Sequence, residues 1–258
     1  YVPFDRAYLN YLMKKGDLFL LDLEDFSCFF YVRKRGDSLH VSISLLDDRF
    51  FESCLDKVLD YIKKSYSSSK IGFKVDEEEH LKVGCLEKKG FRIKGYLHHM
   101  VCEVDRMREI PEIEGVSLRN LREDELDDLI ELINHAYGHK RLREDSVKEW
   151  FRIPSFNYDW IHVAESDGRI VSAVCTREDY RYNVYYRAKR CYIGPVGTHP
   201  NYRRRGIAKA LLSKALNFFY ELGFDSASLY VEGNNPAMRI YEGLGFVKKH
   251  SFILFEKE

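Results

Sequence analysis

A short basic turn is the feature of this sequence best suited to chemistry. Residues 200–208 read PNYRRRGIA and stand between an apolar, strand-like segment and an amphipathic, helix-like one. The first backbone N–H groups of a helix are unpaired and lie at the positive end of its dipole, and a glycine there lets a ligand approach closely. Arginine side chains add charge-assisted donors. The turn therefore predicts a phosphate-binding site, and the alternative is an ordinary solvated loop.

Two regular elements must hold this turn in place. Residues 188–198 are strand-like, and the segment after the turn repeats apolar residues at helical spacing. That apolar face comprises Ile207, Leu211, Leu212, Ala215, Leu216 and Phe219. Upstream, a helix beginning at Asp124 and a hairpin around Asp167-Gly168 precede the strand. The second half of the chain therefore predicts an α/β domain.

The same order of elements occurs earlier in the chain. Gly90-Phe91 and Gly245-Phe246 stand 155 residues apart, and each pair is followed by a strand-like run. A strand, a helix, a strand and a short helix precede each pair, which indicates a duplicated domain. Two unrelated α/β halves are the alternative. The polar segment 105–114, which contains Pro111, is the expected linker.

Composition limits the partners and the compartment. Lys plus Arg and Asp plus Glu both total 41, so neither nucleic acid nor an anionic membrane is expected as a partner. No apolar run approaches the roughly 20 residues of a membrane span, and no signal sequence is evident. The six cysteines form no CxxC pair, a pattern typical of reduced, buried thiols. These features favour a cytoplasmic protein. No metal is expected, because His98-His99 has no further ligands at suitable spacing.

Two signatures in the second half resemble those of the GNAT acetyltransferase superfamily. The first, Arg/Gln-x-x-Gly-x-Gly/Ala, is met by Arg203, Gly206 and Ala208. The second, Asn-x-x-Ala-x-x-x-Tyr before Gly-Phe, is met by Asn234, Ala237, Tyr241 and Gly245-Phe246. The one departure is Ala208, where glycine is commoner. The resemblance covers about residues 116–258.

The resemblance implies an α/β (α+β) fold with two GNAT-like domains, each a mixed, mostly antiparallel central sheet flanked by helices. Residues 1–104 would form a degenerate, incomplete copy and residues 105–258 the catalytic acetyltransferase domain, similar to tandem members such as mycothiol synthase. When the halves are aligned, Asp47 and Asp48 replace two arginines of the turn and Leu86 replaces Tyr241. Because carboxylates repel pyrophosphate, the first domain is expected to have a structural role.

The resemblance also implies acetyl-CoA as cosubstrate and an amine as acceptor. Backbone groups of Val196 and Thr198, on either side of Gly197, would pair with the pantetheine arm. The pyrophosphate would lie at the turn and the helix start, formed by Arg203, Arg204, Arg205, Gly206, Ile207, Ala208 and Lys209. Asn234, in the motif that includes Ala237, would bond to the arm where the two central strands separate.

The resemblance also implies catalytic roles. Tyr241 would protonate the departing thiolate as the amine attacks the acetyl carbon. Residues 188–198 contain no carboxylate, although family members often carry a glutamate there, so Glu178 is the candidate base; a solvated loop carboxylate is the alternative. The tyrosine- and arginine-rich stretch 177–192 would contact an acidic or aromatic acceptor, or form an ordinary hairpin.

The alternative function is a CoA-binding sensor or structural protein without turnover. Aminoacyl transfer of the Fem type is a third possible function, but it would not require the turn from Arg203 to Ala208.

Overall fold

Strands and helices alternate along most of the chain. The computed structural model describes residues 18–22, 27–35, 37–67 and 70–258. The strands are β1 (Leu18–Asp22), β2 (Ser27–Arg35), β3 (Ser38–Leu45), β4 (Lys70–Asp76), β5 (Arg92–Glu103), β6 (Ser117–Asn120), β7 (Ile161–Ser166), β8 (Arg169–Glu178), β9 (Arg190–Thr198), β10 (Ser226–Glu232) and β11 (Val247–Lys257). The helices are α1 (Phe51–Ser65), α2 (His80–Lys88), α3 (Leu126–Tyr137), α4 (Glu144–Trp150), α5 (Tyr180–Tyr186), α6 (Ile207–Glu221) and α7 (Met238–Gly243). None of these helices has the length and apolar character needed to cross a bilayer.

The first of two compact units comprises the described residues up to His98, with Val231–Asn235 and Lys249–Glu258. Its strands lie in the order β1-β2-β3-β4-β11-β5. The β3 and β4 pair is parallel, and α1 connects the two strands. The residues of α1 that repeat at helical spacing are all buried: Phe51, Cys54, Leu55, Val58, Leu59 and Ile62. They pack on the inner faces of β2, β3 and β4 and form the core of this unit.

The second unit comprises His99–Tyr230 and Pro236–Lys248. Its strands lie in the order β5-β10-β9-β8-β7-β6. Neighbouring strands from β6 to β9 are antiparallel, whereas β9 and β10 are parallel and are connected by α6. The predicted apolar face of α6 is buried throughout. Between β7 and β8, Asp167 and Gly168 both have positive φ, as a two-residue hairpin turn requires.

The units are not continuous segments of the chain. The sequence-based division at 104/105 assumes that they are, but the structure assigns Lys249–Glu258 to the first unit. Here β11 pairs with β4 in antiparallel register from Phe252↔Asp76 to Lys257↔Ile71. Ile253 and Phe255 are therefore part of the core of the first unit. The C-terminal strand thus completes the sheet of the N-terminal unit.

Two helix ends support the duplication. After α2, the N–H of Phe91 donates to Leu86 O at 3.0 Å, and after α7 the N–H of Phe246 donates to Tyr241 O at the same distance. The intervening glycines, Gly90 and Gly245, have φ of 80° and 90°. This six-to-one hydrogen bond across a left-handed glycine is a common helix terminator. Leu86 and Tyr241 therefore occupy equivalent positions, as the alignment of the two halves predicts.

One pair of cysteines corrects the expectation of six reduced thiols. Cys28 of β2 and Cys54 of α1 are joined by a disulfide. Both side chains point into the same core, where the helix packs on the strand, and a separation of 26 residues carries no motif that would reveal the pairing. The other four cysteines are free.

Candidate active site

The two central strands of the second unit separate partway along their length. β9 and β10 pair from Arg190↔Ser226 to Ile193↔Leu229, and both continue beyond that point. On the other side of β9, Val196 pairs with Val174 but Ile193 pairs with Thr176, so β9 carries one extra residue there. Such a bulge increases the local bend of a strand. Within the described residues, the edge of β9 does not pair with β10 beyond Ile193.

The turn that follows β9 is held by one of its arginines. Arg203 Nε donates to Thr198 O at 3.1 Å, and its Nη2 donates to Ala136 O at the end of α3 at 2.7 Å. This guanidinium therefore ties the turn to the strand and to α3, so the structure does not present it as a free phosphate donor. Arg204 and Gly206 have positive φ, 62° and 82°. Gly206 is the last residue before α6.

The start of α6 has the properties of an anion site. The N–H groups of its first turn have no partner within the helix, and the dipole places partial positive charge there. Arg204, Arg205 and Lys209 are exposed beside it. A Cβ built on Gly206 would meet only Ile113 Cδ1, at 3.9 Å, so the glycine leaves the approach to the helix start open. The arrangement suits a pyrophosphate, which needs several N–H donors and positive charge together.

Tyr241 is the buried phenol of this region. Its side chain is 7% exposed, and its ring lies 6.0 Å from that of Phe246. Burial raises the pKa of Tyr241 above its ordinary value, and the nearby Tyr137 and Tyr192 raise it further. The phenol is consequently protonated at neutral pH and can donate a proton.

Two residues of this region, Tyr137 and Arg141, were not assigned a role from the sequence, whereas Arg177 begins the stretch 177–192 that was expected to contact the acceptor. Burial raises the pKa of Tyr137, while Arg141 and a backbone hydrogen bond from Val196 lower it. The half-buried Arg177 lies with its guanidinium carbon 4.2 Å from the Tyr192 ring centroid. No motif marks Tyr137, Arg141 or Arg177. The only sequence signal was the enrichment of tyrosine and arginine between Arg177 and Tyr192.

Glu178 does not join this cluster. Arg177 pairs with Tyr192 and Glu178 with Cys191, and successive residues of a strand point to opposite faces. Glu178 therefore lies on the face opposite Tyr192. Its carboxylate accepts hydrogen bonds from Ser155 Oγ at 2.7 Å and from Asn183 Nδ2 at 3.2 Å. These contacts do not favour Glu178 as the base, and that assignment stays a prediction.

The remaining predicted residues lie around the same elements. Val196 and Thr198 are half-buried and Gly197 is buried on β9. A Cβ on Gly197 would be 2.9 Å from Ile133 Cδ1, so only glycine lets α3 pack this closely on the strand. Asn234 is exposed in the turn after β10. Ala237 is the N-cap residue before α7, and its carbonyl accepts from the N–H of Tyr241 at 3.2 Å.

Comparison with known proteins identifies relatives of this chain. A model of the acetyltransferase (GNAT) family matches residues 118–246. A mycothiol acetyltransferase from Propionibacterium freudenreichii is 27% identical over 154 residues, which cover 52% of this chain but only 43% of that protein. This chain thus matches less than half of that relative's length.

Solved structures show the same fold. A GCN5-related N-acetyltransferase from Sphaerobacter thermophilus superposes with a TM-score of 0.75 at 20% identity, covering 98% of this chain and 84% of that one. A tandem GNAT protein from the clavulanic acid biosynthesis pathway has a TM-score of 0.66 at 12% identity, covering 90% and 78%. The predicted fold class, a mixed and mostly antiparallel sheet flanked by helices, is confirmed.

Proposed function

Because the chain belongs to the acetyltransferase (GNAT) family, we propose that it transfers the acetyl group of acetyl-CoA to an amine acceptor with Tyr241 as general acid. The observation that carries the proposal is the separation of β9 and β10 after Ile193↔Leu229, followed directly by the turn and the start of α6. An extended thioester arm fits along an open strand edge, and its pyrophosphate fits at a helix start.

Acetyl-CoA would be held mainly by backbone groups. The edge of β9 at Val196, Gly197 and Thr198 would pair with the pantetheine arm. The pyrophosphate would bind the amides from Arg204 to Lys209, with Arg203 fixing the turn through its two carbonyl contacts. Asn234 would add one hydrogen bond to the arm, close in sequence to Ala237. The open space above Gly206 fits this assignment, because phosphate oxygens must come close to the backbone.

Acetyl-CoA supplies an activated acyl group, and the residues of the chain supply positioning and a proton. A neutral amine forms the N–C bond as the C–S bond breaks, and the Tyr241 hydroxyl gives its proton to the sulfur. Since its pKa is raised, the phenolate that remains is a strong base. It regains a proton from the protonated product nitrogen. No separate carboxylate is required, consistent with the position of Glu178.

The first unit is proposed to have a structural role. At the start of α1, Asp47 accepts from the N–H of Arg49 and forms an ion pair with its guanidinium. A cavity of about 430 Å³ beside this turn is lined by Asp48 and Glu52 as well as by basic residues. A pyrophosphate there would meet two carboxylates, and Leu86 replaces the phenol. We therefore expect acetyl-CoA to bind the second unit only.

The first prediction separates an enzyme from a protein that only binds CoA. Release of free CoA should be measured with a panel of amines for the wild type and for Tyr241→Phe. The variant should keep its affinity for acetyl-CoA but lose roughly 10²-fold in kcat, because only the acidic proton is removed. Tyr220→Phe, which alters an exposed phenol on α6, is the control. Equal kcat in Tyr241→Phe would exclude this tyrosine as the acid, and no release from the wild type would favour the binding protein.

A further inference from the structure

The guanidinium of Arg177 is held in place but is not neutralised. Nη1 donates to Gly194 O at 3.1 Å, and this is its one hydrogen bond within the described residues. The guanidinium carbon also lies 4.2 Å from the Tyr192 ring centroid and 5.4 Å from that of Trp150. Aromatic faces orient an arginine while leaving the N–H groups at its rim free. Four of its five donors thus remain for another partner.

The two carboxylates that follow Arg177 in the sequence already have other partners. Asp179 accepts from Arg190 Nη2 at 2.6 Å in an ion pair. Glu178 lies on the opposite face of β8 and accepts from Ser155. Within the part of the chain that the structure describes, Arg177 forms no ion pair. Burial lowers the pKa of the half-buried Arg177, and the charges of Tyr192 and Asp179 act against this change without forming an ion pair with it.

A second cation increases this local positive charge. Arg141, in the segment after α3, lies with its guanidinium carbon 5.5 Å from the Tyr137 ring centroid. The charge of Arg141 acts in the same direction as burial and lowers the pKa of Arg177 by a smaller amount. Burial raises the pKa of the Cys175 thiol to about 12, and both arginines act against that rise. Both guanidinium groups therefore act on the same thiol, and each lies over the ring of a tyrosine that influences Tyr241.

We propose that the acceptor is an amine that also carries a carboxylate, and that Arg177 and Arg141 bind this carboxylate while the amine faces Tyr241. The inference rests on the proposed acetyltransferase function and adds the substrate class to it. A guanidinium binds a carboxylate through two parallel N–H···O bonds, which fixes orientation as well as position. The Tyr137 and Tyr192 rings would contact the part of the acceptor that connects its two charged groups.

The test compares amines that differ only in the carboxylate. Amino acids and dipeptides, each paired with its C-terminal amide, are assayed for CoA release with acetyl-CoA. For the wild type, kcat/KM should favour the free acid by about tenfold or more, the size of a charge-assisted hydrogen bond. Arg177→Met should remove this preference by lowering kcat/KM for the acid only. Arg169→Met, at the other end of β8, should retain the preference.

Several outcomes would overturn the inference. Transfer to the amides at equal or greater kcat/KM would overturn it and leave the acetyltransferase proposal standing. An equal loss for acid and amide in Arg177→Met would show that Arg177 only supports the strand bulge. Calorimetry of the same pairs with CoA-loaded protein gives a readout independent of turnover. Tighter binding of the acids without CoA release would support the carboxylate site and overturn the catalytic proposal, whereas neither binding nor release would overturn both.

Discussion

Tyr241 adds a hydroxyl to a position that packing requires in both units. Its equivalent in the first unit, Leu86, is 0% exposed and ends its helix with the same hydrogen bond from a phenylalanine N–H. A buried side chain is therefore needed at this helix end whether or not chemistry follows. In the second unit the neighbouring Tyr137 and Tyr192 add to the effect of burial and keep the phenol protonated. The environment therefore keeps this phenol protonated to higher pH than an exposed tyrosine.

The pH dependence of the reaction should reflect this environment. The pKa of Tyr241 is raised above its ordinary value of 10.0, so the protonated acid persists to higher pH than in an exposed tyrosine. A loss of its proton would lower the rate only above that value, whereas deprotonation of the acceptor amine raises the rate as pH increases. We expect kcat/KM to rise with pH and to show no decline below about pH 10. A descending limb between pH 7 and 9 that disappears in Tyr241→Phe would contradict this assignment.

At the level of elements, the turn before α6 combines a fixed backbone with an open surface. Arg203 fixes it by donating to Thr198 O and Ala136 O. Gly206 then supplies a positive φ without placing a side chain over the helix start. The corresponding turn before α1 has Asp47 paired with Arg49 instead. Two strand-helix-strand segments whose helices both have 15 residues thus differ in what their turns can bind.

This difference can be tested with two matched glycines. Gly206 and Gly223 have φ of 82° and 72°, and a Cβ on either would meet its nearest atom at 3.9 Å. Valine at either position should cost about 1–3 kcal/mol of stability through backbone strain. Only Gly206→Val should also weaken acetyl-CoA binding, since Gly223 lies after the other end of α6. Thermal unfolding and calorimetry distinguish the two effects, and equal affinity in both variants would argue against the site.

At the level of the whole molecule, the end of the chain stabilises the unit formed by its beginning. β11 pairs with β4, and Phe255 is 2% exposed within the first unit's core. The second unit in turn contains the latter part of β5, from His99. Each unit therefore depends on a strand from the other half of the sequence, and neither half of the chain contains a complete unit.

Phe255→Ala should destabilise the N-terminal unit although the residue lies near the C-terminus. Deleting a buried phenylalanine side chain leaves a cavity and costs about 3–5 kcal/mol. Hydrogen exchange at the amides of β4 and α1 should therefore become faster. Val247→Ala, at the 53% exposed start of the same strand, should change it little. Unchanged exchange in β4 of the Phe255 variant would show that this strand pairing does not hold the unit together.

The sequence by itself determined the elements and the local geometry of the site. The apolar spacing of α6, the Asp167-Gly168 hairpin and the short helices before Gly90 and Gly245 were all predicted and all occur. So was the turn at Gly206 between a strand and a helix. Each depends on residues within a few positions of one another, because backbone preference and side-chain periodicity are local properties. The family resemblance followed from the same local motifs.

Only the tertiary structure decided which residues meet. It directed the Arg203 guanidinium to Ala136 O, 67 residues away, placed Glu178 on the face of the sheet opposite Tyr192, and joined Cys28 to Cys54. It also placed most of β11 in the first unit, where this strand pairs with β4. Such contacts depend on strand register and on packing between distant segments, where a shift of one residue reverses the face that a side chain occupies. Periodicity along the chain carries no information about those partners.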